Sequence, residues 1–150
     1  MSATVQIVLK PSVFAGSGKE GDFAWMIEQP QYAQALFVFN DNESQFLAYM
    51  DGISVGGGNA VIRPYQGAGA RAAGVPTGPG YDALTTGNKA IIDRALARVR
   101  SLIKSGRYTT LVYSADEADP SLLGHGIFDV GEDVRRYIVA ELKTIASSAA

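Results

Sequence analysis

The chain contains no cysteine, a single histidine (His125) and a single tryptophan, Trp25. Without cysteine there is no thiol nucleophile, no disulfide and none of the common thiolate zinc sets, and the redox compartment is left open. One histidine on its own makes no metal site. Charge of either sign is also sparse. The formal net charge is -2 and the pI is near 5.3, so no electrostatic argument exists for nucleic acid or for an anionic membrane as partner. Apolar runs are short, and none approaches the 18 residues that a spanning helix needs. The opening residues, MSATVQIVLK, carry no basic region ahead of their apolar run, so no signal peptide is expected. These absences lead to the expectation of a soluble, cytoplasmic protein.

What is present is core material. With 150 residues and 47% hydrophobic content, the chain suffices for one domain over residues 1–150. Val5 to Leu9 is a β-rich run that Lys10-Pro11 is expected to end. Asp22 to Gln29 is expected to form two helical turns, with Asp22 as N-cap and Pro30 as terminator. Ala35 to Phe39 is apolar without alternation, the pattern of a strand covered on both faces. Asn42 then caps a helix from Glu43 to about Met50, with Gln45 at the capping-box position.

From Gly52 to Gly87 the chain carries ten glycines and three prolines, which excludes long helices and predicts short strands and ligand-facing loops. Order returns at Asn88. Ile91, Ile92, Ala95, Leu96, Val99, Leu102 and Ile103 mark one helical face, and Gly106 supplies the end signal. A strand over Tyr108–Ser114 and a helix from about Glu132 to Ala146 complete an α/β order, with helices expected on both sides of a sheet.

Two glycine motifs fail their context. In Gly16-Ser17-Gly18-Lys19, Val13 stands where a P-loop needs glycine and Glu20 where it needs Ser or Thr. Gly67-Ala68-Gly69-Ala70-Arg71-Ala72 fits a loose dinucleotide fingerprint. However, no strand precedes it, and Gly74-Val75-Pro76 blocks the helix that should follow. The acidic loop residues Asp116, Glu117 and Asp119 read as a solvated loop, with metal binding the lesser alternative.

A different series has consistent order: Gly21-Asp22-Phe23, the strand ending in Asn40-Asp41-Asn42, Gly56-Gly57-Gly58, Pro76-Thr77-Gly78, and Gly126-Ile127-Phe128 after a strand. It resembles the macrodomain, the α/β/α module that binds ADP-ribose. That family has a Gly-Asp-Ile-Thr-like turn, a strand ending Asn-Ala-Ala-Asn, a Gly-Gly-Gly loop, a Thr-Gly, and a loop with Gly-Ile-Phe. The resemblance implies a three-layer α/β/α sandwich on a mixed central sheet, binding ADP-ribose or a related NAD-derived nucleotide, without a cofactor or metal of its own. The implied ligand-binding residues are Asp22 at the adenine end and Phe23 beside it in sequence, with Asn40 or Asn42 at the distal ribose. Gly56, Gly57 and Gly58 would lie along the diphosphate with Gly124, His125 and Gly126, and Phe128 against a ribose; Asn59, Thr77 and Ile127 are further implied ligand-binding residues.

Arg63 or Arg71 is a further candidate for a bidentate phosphate contact. Successive backbone N–H groups in glycine loops suit a diphosphate because no side chain stands in the way. One version of the function is sequestration of a signalling nucleotide such as cyclic ADP-ribose. Two alternatives stand beside binding. The first is an ADP-ribosyl hydrolase using Asp41, Asn42 and His125. The second is a protein-interaction domain with a degenerate pocket.

Overall fold

A computed structural model of the chain describes residues 7–52, 62–66, 70–124 and 130–148. The elements run β1 (Val8–Ser12), α1 (Phe23–Met26), β2 (Ala35–Asn42), α2 (Glu43–Met50), β3 (Ala72–Gly78), α3 (Thr86–Lys104), β4 (Thr110–Ser114) and α4 (Glu132–Ser148). The fold is α/β. Among the described residues the strands form one four-stranded sheet in the order β1-β4-β2-β3, and all three pairings are parallel. Against the mixed sheet expected, the only antiparallel feature among the described residues is an isolated bridge between Ala115 and Leu123.

β2 explains why an apolar run without alternation works. It lies between β4 and β3, and its successive side chains enter two different cores. Ala35, Phe37 and Phe39 pack with Met26, Ile27, Ile62, Ala72 and Val112. Leu36 and Val38 face the larger cluster, where Phe46 of α2, Ile92, Leu96 and Val99 of α3, and Val134, Ile138 and Leu142 of α4 meet. Each large side chain so buried contributes roughly 1.5–3 kcal/mol. One face of the sheet is thus covered by α2, α3 and α4. The other is covered by the four-residue α1, the 3-10 turn at Pro30–Tyr32 and Ile62.

Several boundaries differ from those expected, each for a local reason. β1 runs through Pro11 instead of ending before it. Val8 donates its N–H to Thr109 across the ladder (3.0 Å), so the period of two turns the nitrogen of Pro11 outward, where no ladder bond is lost. The same holds for Pro76 in β3, whose neighbour Gly74 directs its N–H away from β2 to Gln66 (3.2 Å). The expected two-turn helix over Asp22–Gln29 is the single-turn α1 followed by turns.

The capping box expected at Asn42 is not formed. Asn42 Oδ1 does accept from Ser44 N (2.8 Å) and Gln45 N (3.3 Å), but its own N–H goes to Asp41 Oδ1 (2.7 Å). A complete box occurs at Thr85, where Asn88 N donates to Thr85 Oγ1 (3.1 Å) and Thr85 N to Asn88 Oδ1 (2.8 Å). That box starts α3 two residues before Asn88.

Candidate functional site

Because the strands are parallel, Ser12, Asn42, Gly78 and Ser114 all end at one edge of the sheet. After β1 the chain leaves toward α1 on one face, and after β4 it leaves toward α4 on the other. Diverging connections of neighbouring strands leave a crevice at their carboxyl ends, the usual ligand position in open α/β sheets. Ser12 O accepts from Ala115 N (2.8 Å) and Ser114 O from Gly124 N (2.8 Å), which holds the floor of this crevice closed.

Two sequence-predicted residues meet here. Asn40, near the end of β2, donates from Nδ2 to the carbonyl of Gly124 (2.7 Å), a contact between residues 84 apart. Asn40 Oδ1 is buried and has no hydrogen-bond partner among the described residues. Gly124 is held tightly, since a Cβ there would lie 3.2 Å from Ala115 O and 3.4 Å from Ser114 Oγ. The loop between Ser114 and Gly124 is braced from α4. Arg135 is buried and donates from Nε to Leu123 O (2.6 Å) and from Nη2 to Asp116 Oδ1 (2.5 Å).

Asp116 Oδ2 also accepts from Ala118 N and Asp119 N (both 3.0 Å). The Ala118 bond leads the set, with Arg135, that holds the Asp116 carboxyl below its usual range. Asp119 is held low as well, first by the Ser121 hydroxyl (2.6 Å) and then by the Ser121 N–H. This acidic loop is therefore tied into the fold. Among the described residues no group of three His, Cys, Asp or Glu side chains could hold a metal ion.

Asp22 caps α1, its Oδ1 accepting from Ala24 N (3.1 Å) and its Oδ2 from Gly18 N (2.8 Å). Each carboxylate oxygen has a second acceptor direction, so the cap does not exhaust Asp22. The turn into it needs glycine. Gly21 has φ +100°, and a Cβ there would lie 2.0 Å from Val13 O. Phe23 turns its ring to the core, edge-on to Phe37 with centroids 5.1 Å apart.

Asn42 is engaged as the cap of α2. Asp41 is only 1% exposed, and Thr77, fully buried, directs its hydroxyl to Asp41 O (3.5 Å). Arg71 donates to Tyr32 O (2.5 Å) and Ala35 O (3.2 Å), a structural use of the guanidinium in place of the phosphate contact considered for it. Gly56, Gly57, Gly58, Asn59, His125, Gly126, Ile127 and Phe128 lie outside the described residues, as does the side chain of Arg63.

Sequence reasoning missed Gln66, which is 2% exposed. Its Oε1 takes the Gly74 N–H, and its carbonyl takes Tyr49 Oη and Arg98 Nη2 (each 2.8 Å). It also missed Arg135, which nothing in an amphipathic helix pattern distinguishes from a solvent-facing arginine. An open groove of about 730 Å³ lies between the β1 edge and the end of α4, lined by Ile7, Leu9, Tyr113 and Lys143 among others. None of the sequence-predicted site residues is in that lining. No helix among the described residues is long and apolar enough to cross a membrane. No protein-family model, curated protein or solved structure matches the chain.

Proposed function

We propose that the chain binds ADP-ribose or a related NAD-derived nucleotide in the crevice at the carboxyl ends of its strands, as a macrodomain-like three-layer α/β/α module. The observation that carries this reading is the pairing of Asn40 with Gly124. It joins the Asn40-Asp41-Asn42 part of the motif series to Gly124, a candidate ligand-binding residue 84 positions away in sequence. It also leaves Asn40 Oδ1 as a buried acceptor with no partner among the described residues, an unsatisfied polar atom near the carboxyl end of β2. Asp22, at the start of α1, is the acceptor for an adenine amine, and Gly124 begins the glycine loop offered to the diphosphate.

Binding is favoured over turnover by what has become of two candidate catalytic residues. Asp41 is buried with Oδ1 on its neighbour's N–H, and Asn42 is engaged as a helix cap. A hydrolase needs a group that can orient water at the anomeric carbon. In this reading the protein is cytoplasmic, its partner is a small molecule and not nucleic acid or membrane, and sequestration of a signalling nucleotide such as cyclic ADP-ribose is one use of the site. Isothermal titration with ADP-ribose, NAD and cyclic ADP-ribose is the test, with at least one expected to bind and be recovered intact. Absence of both heat and thermal shift with all three would sink the reading.

A further inference from the structure

Between β1 and Asp22 runs a loop whose shape is fixed at three points. Gly21 sits against Val13 O, Gly18 N donates to Asp22 Oδ2 (2.8 Å), and Glu20 accepts the Tyr32 hydroxyl (2.6 Å). A loop so tied presents its residues in a set place, and one of them is out of keeping with its surroundings. Phe14 is 62% exposed, with Val13 38% exposed beside it and Ala15, Gly16 and Ser17 following. Its Cα lies 3.2 Å from where a Cβ on Gly21 would stand, and Asp22 is the next residue along. An exposed aromatic residue and a carboxylate residue therefore stand on adjoining backbone segments, following the carboxyl end of β1.

We propose that Phe14 is the base platform of this site, its ring stacking on the purine of a nucleotide whose exocyclic amine meets Asp22; this rests on the nucleotide reading above. The chemistry of the pair selects the ligand. A carboxylate accepts from an amine-bearing base edge and repels the carbonyl edge of uracil, while an exposed ring gains most from the larger face of a purine. The patch does not suit a protein partner. Stable interfaces bury about 800 Å² on each side, and two apolar side chains followed by a polar glycine loop do not provide it.

The test titrates AMP, ribose 5-phosphate and ADP-ribose calorimetrically into the native protein, Phe14→Ala and Phe14→Trp. Stacking on one ring corresponds to about a tenfold to hundredfold change in affinity. Phe14→Ala is expected to weaken AMP and ADP-ribose by that factor and to leave ribose 5-phosphate unchanged, while Phe14→Trp retains the native affinities. Thermal unfolding should be unaltered because the ring stands mostly in water, and Phe14→Trp keeps the comparison open should the alanine variant not fold. Equal AMP and ADP-ribose affinities in Phe14→Ala and the native protein overturn the proposal and leave the ADP-ribose reading standing. Phe14-dependent AMP binding without ADP-ribose binding has the opposite meaning. A native protein that binds neither overturns both.

Discussion

Replacing Gly74 by alanine tests how tightly the polar end of β2 is held. Gly74 lies opposite Phe39 in the ladder, and its φ is not in the left-handed region, so alanine can adopt the backbone. Space is the obstacle. A Cβ would lie 2.6 Å from Asp41 Oδ2, 2.9 Å from Phe39 Cζ and 3.1 Å from Asp41 Cβ, and both of those side chains are buried. Moving Asp41 also disturbs its bond to Asn42 N and, through it, the start of α2.

Overpacking of this kind costs about 1–3 kcal/mol. The lower entropy of an unfolded chain with alanine offsets about 0.4–1 kcal/mol of that. The net expectation is a loss of about 1–2 kcal/mol, read as a fall in Tm of roughly 2–8 °C for a domain of this size. Gly87→Ala is the matched control. In the first turn of α3 its Cβ would meet only Thr85 Oγ1 at 3.9 Å, so the same change in unfolded-state entropy is expected to stabilise by about 0.5–1 kcal/mol. Urea unfolding of both variants, followed by circular dichroism, decides the matter. A Gly74→Ala protein as stable as the native one, or two variants that shift in the same direction, would refute the crowding argument.

Two further predictions concern the loop after β4. Asn40→Leu removes the donor to Gly124 O and leaves a carbonyl unpaired, at about 1–3 kcal/mol; faster hydrogen exchange near Gly124 should accompany the loss, and unchanged protection there would show that the bond does not hold the loop. Asp116 has a lowered folded pKa, so the folded state binds fewer protons than the unfolded one in acid. Its contribution is complete above the unfolded value near 3.9 and is lost as pH falls through the lower folded one, so Asp116→Asn should flatten the acid limb of the stability profile below about pH 4. An acid limb as steep as the native one would remove Asp116 from the account.

The parts of the fold legible in the sequence are those whose local pattern and tertiary role agree. Ala35 to Phe39 reads as a doubly covered strand because both faces are apolar, and α3 reads from a repeat that its buried residues bear out. For β3 the sequence shows only that short strands lie somewhere in Gly52–Gly87, not which residues form them. Ala72–Gly78 carries glycine and proline, and it pairs because Gly74 clears Asp41 and Phe39 and because the sheet edge tolerates Pro76.

The candidate site divides in the same way. Asp22 and Asn42 were legible as caps, which depends only on near neighbours, and both are caps. The joining of Asn40 to Gly124, the bracing by Arg135 and the burial of Asp41 and Thr77 depend on chain segments far apart in sequence, which no local spacing encodes. Phe14 carries no motif at all, and only its exposure in a tied loop brings it forward.

The two outward-facing prolines have a consequence for the protein in a crowded solution. Among the described residues β1 and β3 are the outer strands of the sheet, and an outer strand of a parallel sheet invites a foreign strand to continue the ladder, which is how aggregates begin. Here each outer strand lacks a donor partway along its free side, at Pro11 and at Pro76, and Gln66 already occupies the Gly74 N–H beside the second. An incoming strand would leave one of its own carbonyls without a partner at either flank. The residues that obscure β1 and β3 in the sequence are therefore also ones that disfavour addition of a further strand to the sheet.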